Sequence, residues 1–459
     1  MTETTTSVGR VRGTREQGVT VFRGIPFAAP PVGDLRFAAP APPAPWDGVR
    51  EATAFGPPPP HTGCAADGAD WLTLNVWTPD PGRDARLPVM VWVHGGAYTI
   101  GSAGLPEYDG ARLAAGGVVL VTANYRVGVE GFARVEGAPD NRGLLDQLAM
   151  LEWVQDNVAA FGGDPARVTV FGQSAGGGSI AALLTMPRAA GLFRRAVVQS
   201  APGTTFAPEL AQDIASAFAA ELGLKATVAD LADVDPDLLV AASDEVTAAA
   251  GAHVDRWGLA ARRSILFSPV VDGDVLPVAP WQTRHDVDLL VGHTRDENRL
   301  FVVFGEVGPE EIATAEELYA PGPYPAADPM RLYDLVLSDW LFRMPSLHLA
   351  ERAARAHMYE LTWAGTLGAC HGLDVPLVFG NLTQGQPASL IGDVAAAQQV
   401  SASIRRAWTA FANDGDPGWP TFDTGVVQVF DSEPAVVPYP EEESRRIWRD
   451  HVFAPLPLR

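Results

Sequence analysis

Short runs of apolar residues alternate with longer amphipathic segments through the central part of the chain. Residues 87–93 and 118–125 are mostly apolar and rich in β-branched side chains, which is typical of strands buried on both faces of a parallel sheet. Between residues 141 and 163, leucines and valines recur at the spacing of one helix face, and Gly162 and Gly163 end that pattern. This alternation predicts an α/β sheet whose strands are joined by right-handed crossovers.

The same pattern continues toward the C-terminus, and the N-terminus differs from it. Two β-rich segments near the start predict an antiparallel hairpin that joins the edge of the sheet. Residues from about 207 to 264 are rich in Ala, Leu, Asp and Glu, which favours a helical insertion that caps the sheet. We expect strands at 168–171, 196–200, 288–294 and 357–363, a helix at 179–186, and hairpin strands at 7–13 and 19–27.

Length and composition favour one large globular unit. The chain has 459 residues, of which 47% are hydrophobic and 19% charged, so material for a core is ample. No internal repeat or linker-like tract divides it, and a large sheet covered by helices can use the whole length. The sequence therefore predicts a single domain over residues 1–459, with the cap-like insertion inside it.

Charge, cysteine content and the length of apolar runs indicate which classes of partner and which cellular compartment to expect. The formal net charge of −22 repels nucleic acid and anionic lipid, so neither is expected as a partner. The N-terminus lacks the apolar segment of a signal peptide, and no later run approaches the ~18 apolar residues of a membrane span. The two cysteines, Cys64 and Cys370, fit a reducing cytoplasmic setting, and a single disulfide between them is the alternative.

The stretch GQSAGGGS places four glycines around Ser174, between a predicted strand and a predicted helix. In that context G-x-S-x-G indicates a nucleophile elbow, a turn so tight that side chains at Gly172 and Gly176 would collide. Ser174 is then held at the carboxyl edge of the sheet and at a helix N-terminus, whose dipole favours developing negative charge. The alternative interpretation of this segment is an ordinary turn without a catalytic role. We expect Gly177 and Gly178 only to permit close packing of helix on sheet.

A nucleophilic serine needs hydrogen-bond donors for the oxyanion that forms on its substrate. The segment HGGA follows directly on the strand that ends at residue 93, and its small residues allow backbone N–H groups to face a ligand. The predicted donors are the N–H groups of Gly96, Ala97 and Ala175. A plain Gly-Gly turn is the alternative interpretation.

The base and its orienting acid follow the serine in chain order, as acid and then histidine. His371 lies in the segment CHGLDV, which follows a predicted strand. Asp296 and Glu297 both follow another strand, and composition and spacing do not choose between them. Both acids could instead be solvated and paired with Arg295 or Arg299. The sequence shows no metal-binding cluster and no phosphate-binding loop, so neither a metal nor a cofactor is expected.

Taken together, these segments resemble a known family. The chain is similar to the type-B carboxylesterases, serine esterases of the α/β-hydrolase fold, and most similar to the bacterial para-nitrobenzyl esterase group. The matching segments run in the family's order over nearly the whole chain, and they include FRGIPFAAPPVGDLRF, HGGAYTIGS, NRGLLDQLAMLEWVQDN, GQSAGGGS, HTRDENRLF and CHGLDVPLVFGN.

The resemblance implies a large, mostly parallel sheet with helices on both faces, and it assigns roles that spacing left open. The acid becomes Glu297, and Asn298 stands where the family commonly has glycine, so we expect a left-handed φ there. The implied catalytic residues are Ser174, Glu297 and His371, the implied oxyanion donors are the N–H groups of Gly96, Ala97 and Ala175, and Ser200 and Gly95 support them without contacting the substrate.

The implied activity is hydrolysis of small carboxylic esters to acid and alcohol through an acyl-enzyme on Ser174, by a monomer. The same triad could act on carbamates or lactones, or transfer the acyl group to an acceptor other than water. A lipase for emulsified long-chain esters and a homologue that binds without chemistry are further alternatives, although the latter usually lacks a triad residue.

Overall fold

A single mixed sheet dominates the computed structural model, which describes residues 1–64, 68–304, 307–325 and 327–459 of the chain. Within these ranges thirteen strands join the sheet. In chain order they are β1 (Thr2–Thr5), β2 (Arg10–Glu16), β3 (Val19–Pro26), β4 (Val49–Glu51), β5 (Thr73–Thr78), β6 (Leu87–Val93), β7 (Val119–Ala123), β8 (Gly163–Gln173), β9 (Arg195–Gln199), β10 (Asp288–Thr294), β11 (Ala356–Leu361), β12 (Val426–Phe430) and β13 (Ala435–Pro438).

Helices fill most of the connections between strands. In the same described ranges the α-helices are α1 (Ala111–Ala114), α2 (Gly128–Phe132), α3 (Arg142–Asn157), α4 (Ala175–Leu183), α5 (Pro208–Glu221), α6 (Val228–Leu231), α7 (Pro236–Ala248), α8 (Val254–Trp257), α9 (Leu259–Arg262), α10 (Arg299–Phe304), α11 (Pro309–Tyr319), α12 (Pro329–Ser338), α13 (Met344–Arg352), α14 (Asp374–Phe379), α15 (Val394–Asp414) and α16 (Glu442–Trp448). A π-helical turn, Asp339–Arg343, joins α12 to α13.

The strand order separates a parallel centre from antiparallel edges. The order is β1-β2-β3-β5-β7-β6-β8-β9-β10-β11-β12-β13, with β4 paired to β2. The strands from β7 through β12 in that order pair in parallel. At one edge β2 and β3 form the predicted antiparallel hairpin, and β3 pairs with β5. The predicted α/β class, with a mostly parallel sheet, is therefore confirmed.

Both faces of the central strands are covered, and β6 shows why its sequence is apolar throughout. Val89, Val91 and Val93 point into one hydrophobic core, which includes residues of α3 and α4. Met90 and Trp92 point to the other face, into a core that includes residues of α14 and α15. Since successive side chains of a strand alternate between faces, a strand covered on both sides needs an unbroken apolar run.

The helix after Ser174 begins earlier than the sequence predicted. We expected it at 179–186, but α4 spans Ala175–Leu183, so the glycines lie inside its first turns. A Cβ at Gly177 would lie 2.8 Å from the carbonyl oxygen of Gln199, at the end of β9. Close packing of helix against sheet therefore outweighs the low helix propensity of glycine at this position.

Two further expectations concern the chain as a whole. Cys64 and Cys370 are not joined by a disulfide, so the open alternative of a bridge is wrong. Cys370 is buried, which raises the pKa of its thiol to about 12. In the part of the chain that the structure describes, no helix combines the length and apolarity needed to cross a bilayer.

Candidate active site

Ser174 occupies a sharp turn between β8 and α4. Its backbone has φ 56° and ψ −126°, a conformation that costs a non-glycine residue about 1–3 kcal/mol. Two hydrogen bonds hold the turn, from Ser174 N–H to the Gln199 carbonyl at 2.9 Å and from Gly178 N–H to the Ser174 carbonyl at 2.8 Å. A Cβ at Gly172 would lie 2.9 Å from the carbonyl oxygen of Gly176. It would also lie 2.7 Å from the carbonyl oxygen of Val93 at the end of β6, and a Cβ at Gly176 would collide with that same carbonyl. Both glycines are therefore required where the turn packs against β6.

Glu297 and His371 meet through a short hydrogen bond although 74 positions separate them. Glu297 lies in the turn after β10, and His371 lies in the loop after β11, the strand paired with β10. The Nδ1 atom of His371 is 2.6 Å from Oε2 of Glu297. The backbone adds a contact, because His371 N–H donates to the Glu297 carbonyl at 3.3 Å. Two parallel strands that end side by side thus bring the acid and the imidazole together.

The other carboxylate oxygen of Glu297 is fixed by two donors. Its Oε1 atom accepts from the Ser200 hydroxyl at 2.6 Å and from Thr294 N–H at 2.9 Å. Burial of Glu297 favours its neutral form, but the charge of His371 and the hydrogen bonds from His371, Ser200 and Thr294 outweigh burial and hold the pKa of Glu297 below its usual value. Ser200, which the sequence suggested as a supporting residue, therefore lies directly against the acid.

Asp296, the competing acid, has different partners. Its Oδ2 atom accepts from Ala369 N–H at 3.1 Å and lies 3.1 Å from guanidinium nitrogens of both Arg295 and Arg299. Asn298 does not adopt the left-handed φ that we expected. Its N–H instead donates to the Ser338 hydroxyl at 3.0 Å, so the loop after Glu297 is closed by a contact from α12.

The second imidazole nitrogen of His371 faces the nucleophile turn. Its Nε2 atom lies 3.1 Å from Nε2 of Gln173, the residue before Ser174. An amide N–H that donates there makes His371 Nε2 an acceptor, while Nδ1–H donates to Glu297. Within the described ranges, the Ser174 hydroxyl forms no hydrogen bond with His371. The imidazole therefore has the tautomer of a general base but contacts the neighbour of the serine.

Two aromatic rings enclose the imidazole of His371. The Phe342 ring stacks on His371 with centroids 4.2 Å apart, and the Phe301 ring lies at 5.4 Å. Phe342 belongs to the π-helical turn and Phe301 to α10. No periodicity marks a π-helical turn, and Gln173 is an unconstrained position of G-x-S-x-G, so sequence patterns had no signal for these three contacts.

The HGGA segment bends back on itself after β6. Gly96 has φ 117°, Ala97 has φ 54°, and Thr99 and Ile100 N–H both donate to the Gly96 carbonyl. A Cβ at Gly95 would lie 2.8 Å from the Gln173 carbonyl oxygen and 3.2 Å from Cβ of Ser174, so this loop runs directly against the nucleophile turn.

Three backbone donors near Ser174 have no acceptor among the described residues. The N–H groups of Gly96, Ala97 and Ala175 make no hydrogen bond to any residue that the structure describes. Ala175 is the first residue of α4, where a helix leaves its N–H groups unpaired. Free N–H groups beside a nucleophile, at a helix N-terminus, are suited to binding a developing oxyanion.

A surface groove lies away from this site. It has a volume of about 680 Å³ and is lined by Ala356, the first residue of β11, together with residues 421–425. His371 follows the opposite end of that strand, so the groove is at the other edge of the sheet. Among the described residues, no three His, Cys, Asp or Glu side chains are grouped as metal ligands.

Comparisons with known proteins identify the family and agree with the fold. The model of the carboxylesterase family matches residues 1–321. The chain is 38% identical to a para-nitrobenzyl esterase of Bacillus subtilis, over 96% of this chain and 97% of that one. It superposes on a solved PNB esterase structure with a TM-score of 0.85 at 36% identity, covering 97% and 98% of the two chains. A Geobacillus stearothermophilus carboxylesterase structure gives 0.84 at 33% identity, covering 98% and 100%.

Proposed function

This chain belongs to the carboxylesterase family, and we propose that Ser174, Glu297 and His371 are the residues with which it hydrolyses carboxylic esters. It is a serine esterase of the α/β-hydrolase fold that acts on small-molecule esters. The observation that carries the assignment of the residues is the 2.6 Å contact between His371 Nδ1 and Glu297, with the other imidazole nitrogen directed at the serine turn.

In the first step His371 acts as the general base. Its Nε2 atom takes the proton of the Ser174 hydroxyl while the serine oxygen attacks the acyl carbon of the ester. The buried Glu297 carboxylate holds the proton of Nδ1 and stabilises the imidazolium that forms. Since Nε2 faces the Gln173 amide at 3.1 Å, this step requires the imidazole to exchange that donor for the hydroxyl of Ser174. Catalytic hydrogen bonds commonly tighten only when substrate is bound.

The negative charge of the tetrahedral intermediate is stabilised by the N–H groups of Gly96, Ala97 and Ala175. These groups make no hydrogen bond to the part of the chain that the structure describes, so none of those contacts must break when the oxyanion forms. Each such donor typically contributes ~2.7–4 kcal/mol of transition-state stabilisation. Gly95 contributes by leaving the space that lets the loop approach Ser174.

The second half of the reaction reverses these roles. The His371 imidazolium gives its proton to the departing alcohol, and the acyl group stays on Ser174 as an ester. A water molecule then enters, His371 takes its proton, and a second oxyanion forms in the same position. Collapse of that intermediate releases the acid and returns the proton to Ser174. No metal or cofactor takes part in this proposal.

The nucleophile is tested with Ser174→Ala. We expect this variant to lose nearly all activity on p-nitrophenyl acetate and all covalent labelling by an organophosphonate. Ser216→Ala is a matched control, because the Ser216 hydroxyl is exposed on α5 and donates to the Gln212 carbonyl of the same helix. A Ser174→Ala protein that kept the turnover of the unmodified enzyme would show that another group is the nucleophile.

We further propose that residues 1–459 form one domain in which the segment 207–264, with helices α5 to α9, is an insertion, and that the protein is a cytoplasmic monomer. The net charge of −22 and the buried Cys370 thiol support this setting. Light scattering coupled to size-exclusion chromatography tests the monomer, with a mass near 48.6 kDa expected. A panel of p-nitrophenyl esters from acetate to palmitate, beside a p-nitrobenzyl ester, would define the acyl and alcohol preference.

A further inference from the structure

Tyr98 connects the HGGA loop to the body of the protein. It follows Ala97, has φ 60°, and its side chain is buried. Its carbonyl accepts a 2.7 Å hydrogen bond from Gly128 N–H, and its ring packs against Phe132 with centroids 4.7 Å apart. Ala97 and Tyr98 are thus two consecutive non-glycine residues with left-handed φ, a conformation that persists only where surrounding contacts enforce it.

The hydroxyl of Tyr98 reaches α4, the helix that begins beside Ser174. It lies over Gly178, so close that a Cβ at Gly178 would come within 3.0 Å of the hydroxyl oxygen. The ring of Pro202 lies 3.2 Å from the same Cβ position, so a methyl group there could not move aside. The Ser179 hydroxyl is a polar neighbour of the Tyr98 hydroxyl. The Tyr98 hydroxyl therefore occupies the space that a side chain at residue 178 would need.

We propose that the contact of the Tyr98 hydroxyl with Gly178 is a positioning contact that sets the distance between the two halves of the oxyanion hole; this rests on the function proposed above. Two donors, Gly96 and Ala97 N–H, belong to the loop, whereas the third, Ala175 N–H, belongs to α4. Their separation depends on how the loop is seated against the helix. Tyr98 is adjacent to Ala97, and Gly178 lies one turn along α4 from Ala175.

The same glycine also belongs to the serine turn. Gly178 N–H donates to the Ser174 carbonyl at 2.8 Å, so a displacement of this residue is passed directly to the nucleophile. Gly177 differs, because its Cβ position faces the Gln199 carbonyl on β9 at 2.8 Å and not Tyr98. The two glycines, which have the same role in the sequence prediction, therefore have separate roles. Gly177 lets β9 pack closely against α4, and Gly178 leaves space for the Tyr98 hydroxyl.

The experiment is a double-mutant cycle with Gly178→Ala and Tyr98→Phe. We expect Gly178→Ala to lower kcat on p-nitrophenyl acetate by on the order of 10²-fold with little change in KM, as a displaced oxyanion donor does. In the Tyr98→Phe background, where the hydroxyl is absent, the same substitution should change kcat by less than about threefold. Equal losses in the two backgrounds, or no loss from Gly178→Ala, would overturn the proposal.

A second readout distinguishes positioning from a general effect on folding. Trifluoroacetophenone adds to the serine oxygen without a leaving group, and its tetrahedral adduct carries an oxyanion, so its Ki should rise with the fall in kcat/KM across the four proteins. If Gly178→Ala does not fold, the comparison of Tyr98→Phe with the double variant still tests the proposal. A more than tenfold difference between the Ki values of these two proteins would overturn it.

Gly177→Ala serves as the matched control. Its clash is with the Gln199 carbonyl, so Tyr98→Phe should not restore its activity. Rescue of Gly177→Ala by Tyr98→Phe would mean that the hydroxyl acts generally and not through Gly178. Because every comparison uses an enzyme with Ser174 intact, failure of this proposal is distinct from failure of the triad, which Ser174→Ala tests.

Discussion

The replacement Glu297→Gln separates a catalytic acid from a merely buried one, because the surroundings of Glu297 dictate how a glutamine would orient. Oε1 accepts from the Ser200 hydroxyl and from Thr294 N–H. The hydroxyl can rotate, but the backbone N–H cannot, so the glutamine oxygen must stay on that side. The amide NH₂ then faces His371 Nδ1, across the present distance of 2.6 Å.

That orientation inverts the tautomer of His371. An amide nitrogen donates and does not accept, so Nδ1 must become the acceptor and the imidazole proton moves to Nε2. A protonated Nε2 cannot take the proton of Ser174. In other serine hydrolases an acid-to-amide replacement of this kind lowers kcat on the order of 10⁴-fold, which corresponds to about 5.5 kcal/mol of activation free energy. We expect the same for Glu297→Gln, with KM nearly unchanged because residue 297 contacts the histidine and not the substrate.

The assay is steady-state hydrolysis of p-nitrophenyl acetate, with thermal unfolding to verify that the variant is folded. Asp296→Asn is the matched control, since Asp296 is adjacent in sequence but bonds Ala369 N–H and two arginines. We expect it to retain kcat within about threefold, as for a residue that does not touch the reacting groups. A Glu297→Gln enzyme with more than about a tenth of the original kcat, or an equal loss in Asp296→Asn, would refute the reasoning.

Three further predictions follow from individual contacts. Ser200→Ala removes a 2.6 Å hydrogen bond to the Glu297 carboxylate and should lower kcat on the order of tenfold at constant KM, and an unchanged kcat would contradict the support we assign to it. Gly176→Ala places a Cβ against the Val93 carbonyl and should lower the free energy of unfolding in urea by about 1–3 kcal/mol; equal stability would mean that the turn is looser than described. Burial raises the pKa of Glu360 from 4.5 to about 8, so between these values the native state binds more protons than the unfolded state and stability falls as pH rises. The unmodified protein should therefore lose more stability than Glu360→Gln between pH 5 and pH 8. The same difference in unfolding free energy between the two proteins at both pH values, measured in urea, would disprove this.

Local rules made the fold and the nucleophile turn predictable from the sequence. A short apolar run rich in β-branched residues, such as β6, indicates a strand covered on both faces, and G-x-S-x-G between a strand and a helix indicates the turn from five consecutive residues. The start of α4 was missed for the opposite reason. Its glycines have low helix propensity, and only the tight approach of Gly177 to β9 explains why they are helical.

The rest of the site depends on contacts between distant segments. Asp296 and Glu297 are equivalent by composition, and only the turn after β10 directs one toward His371 and the other toward Ala369. The stacking of Phe342 on the imidazole arises from a π-helical turn, which no sequence period marks. Residue spacing therefore could not choose between the two acids, and no sequence period indicated the aromatic contacts.

The most direct measurement is a crystal structure of the enzyme inactivated by a p-nitrophenyl alkylphosphonate, whose tetrahedral adduct mimics the intermediate. The account predicts phosphorus bonded to Ser174 Oγ, the phosphoryl oxygen about 2.7–3.1 Å from the N–H groups of Gly96, Ala97 and Ala175, and His371 Nε2 released from Gln173 to face the serine oxygen. An adduct on another residue, or an imidazole still bonded to Gln173 with the phosphoryl oxygen outside that ring of donors, would contradict it.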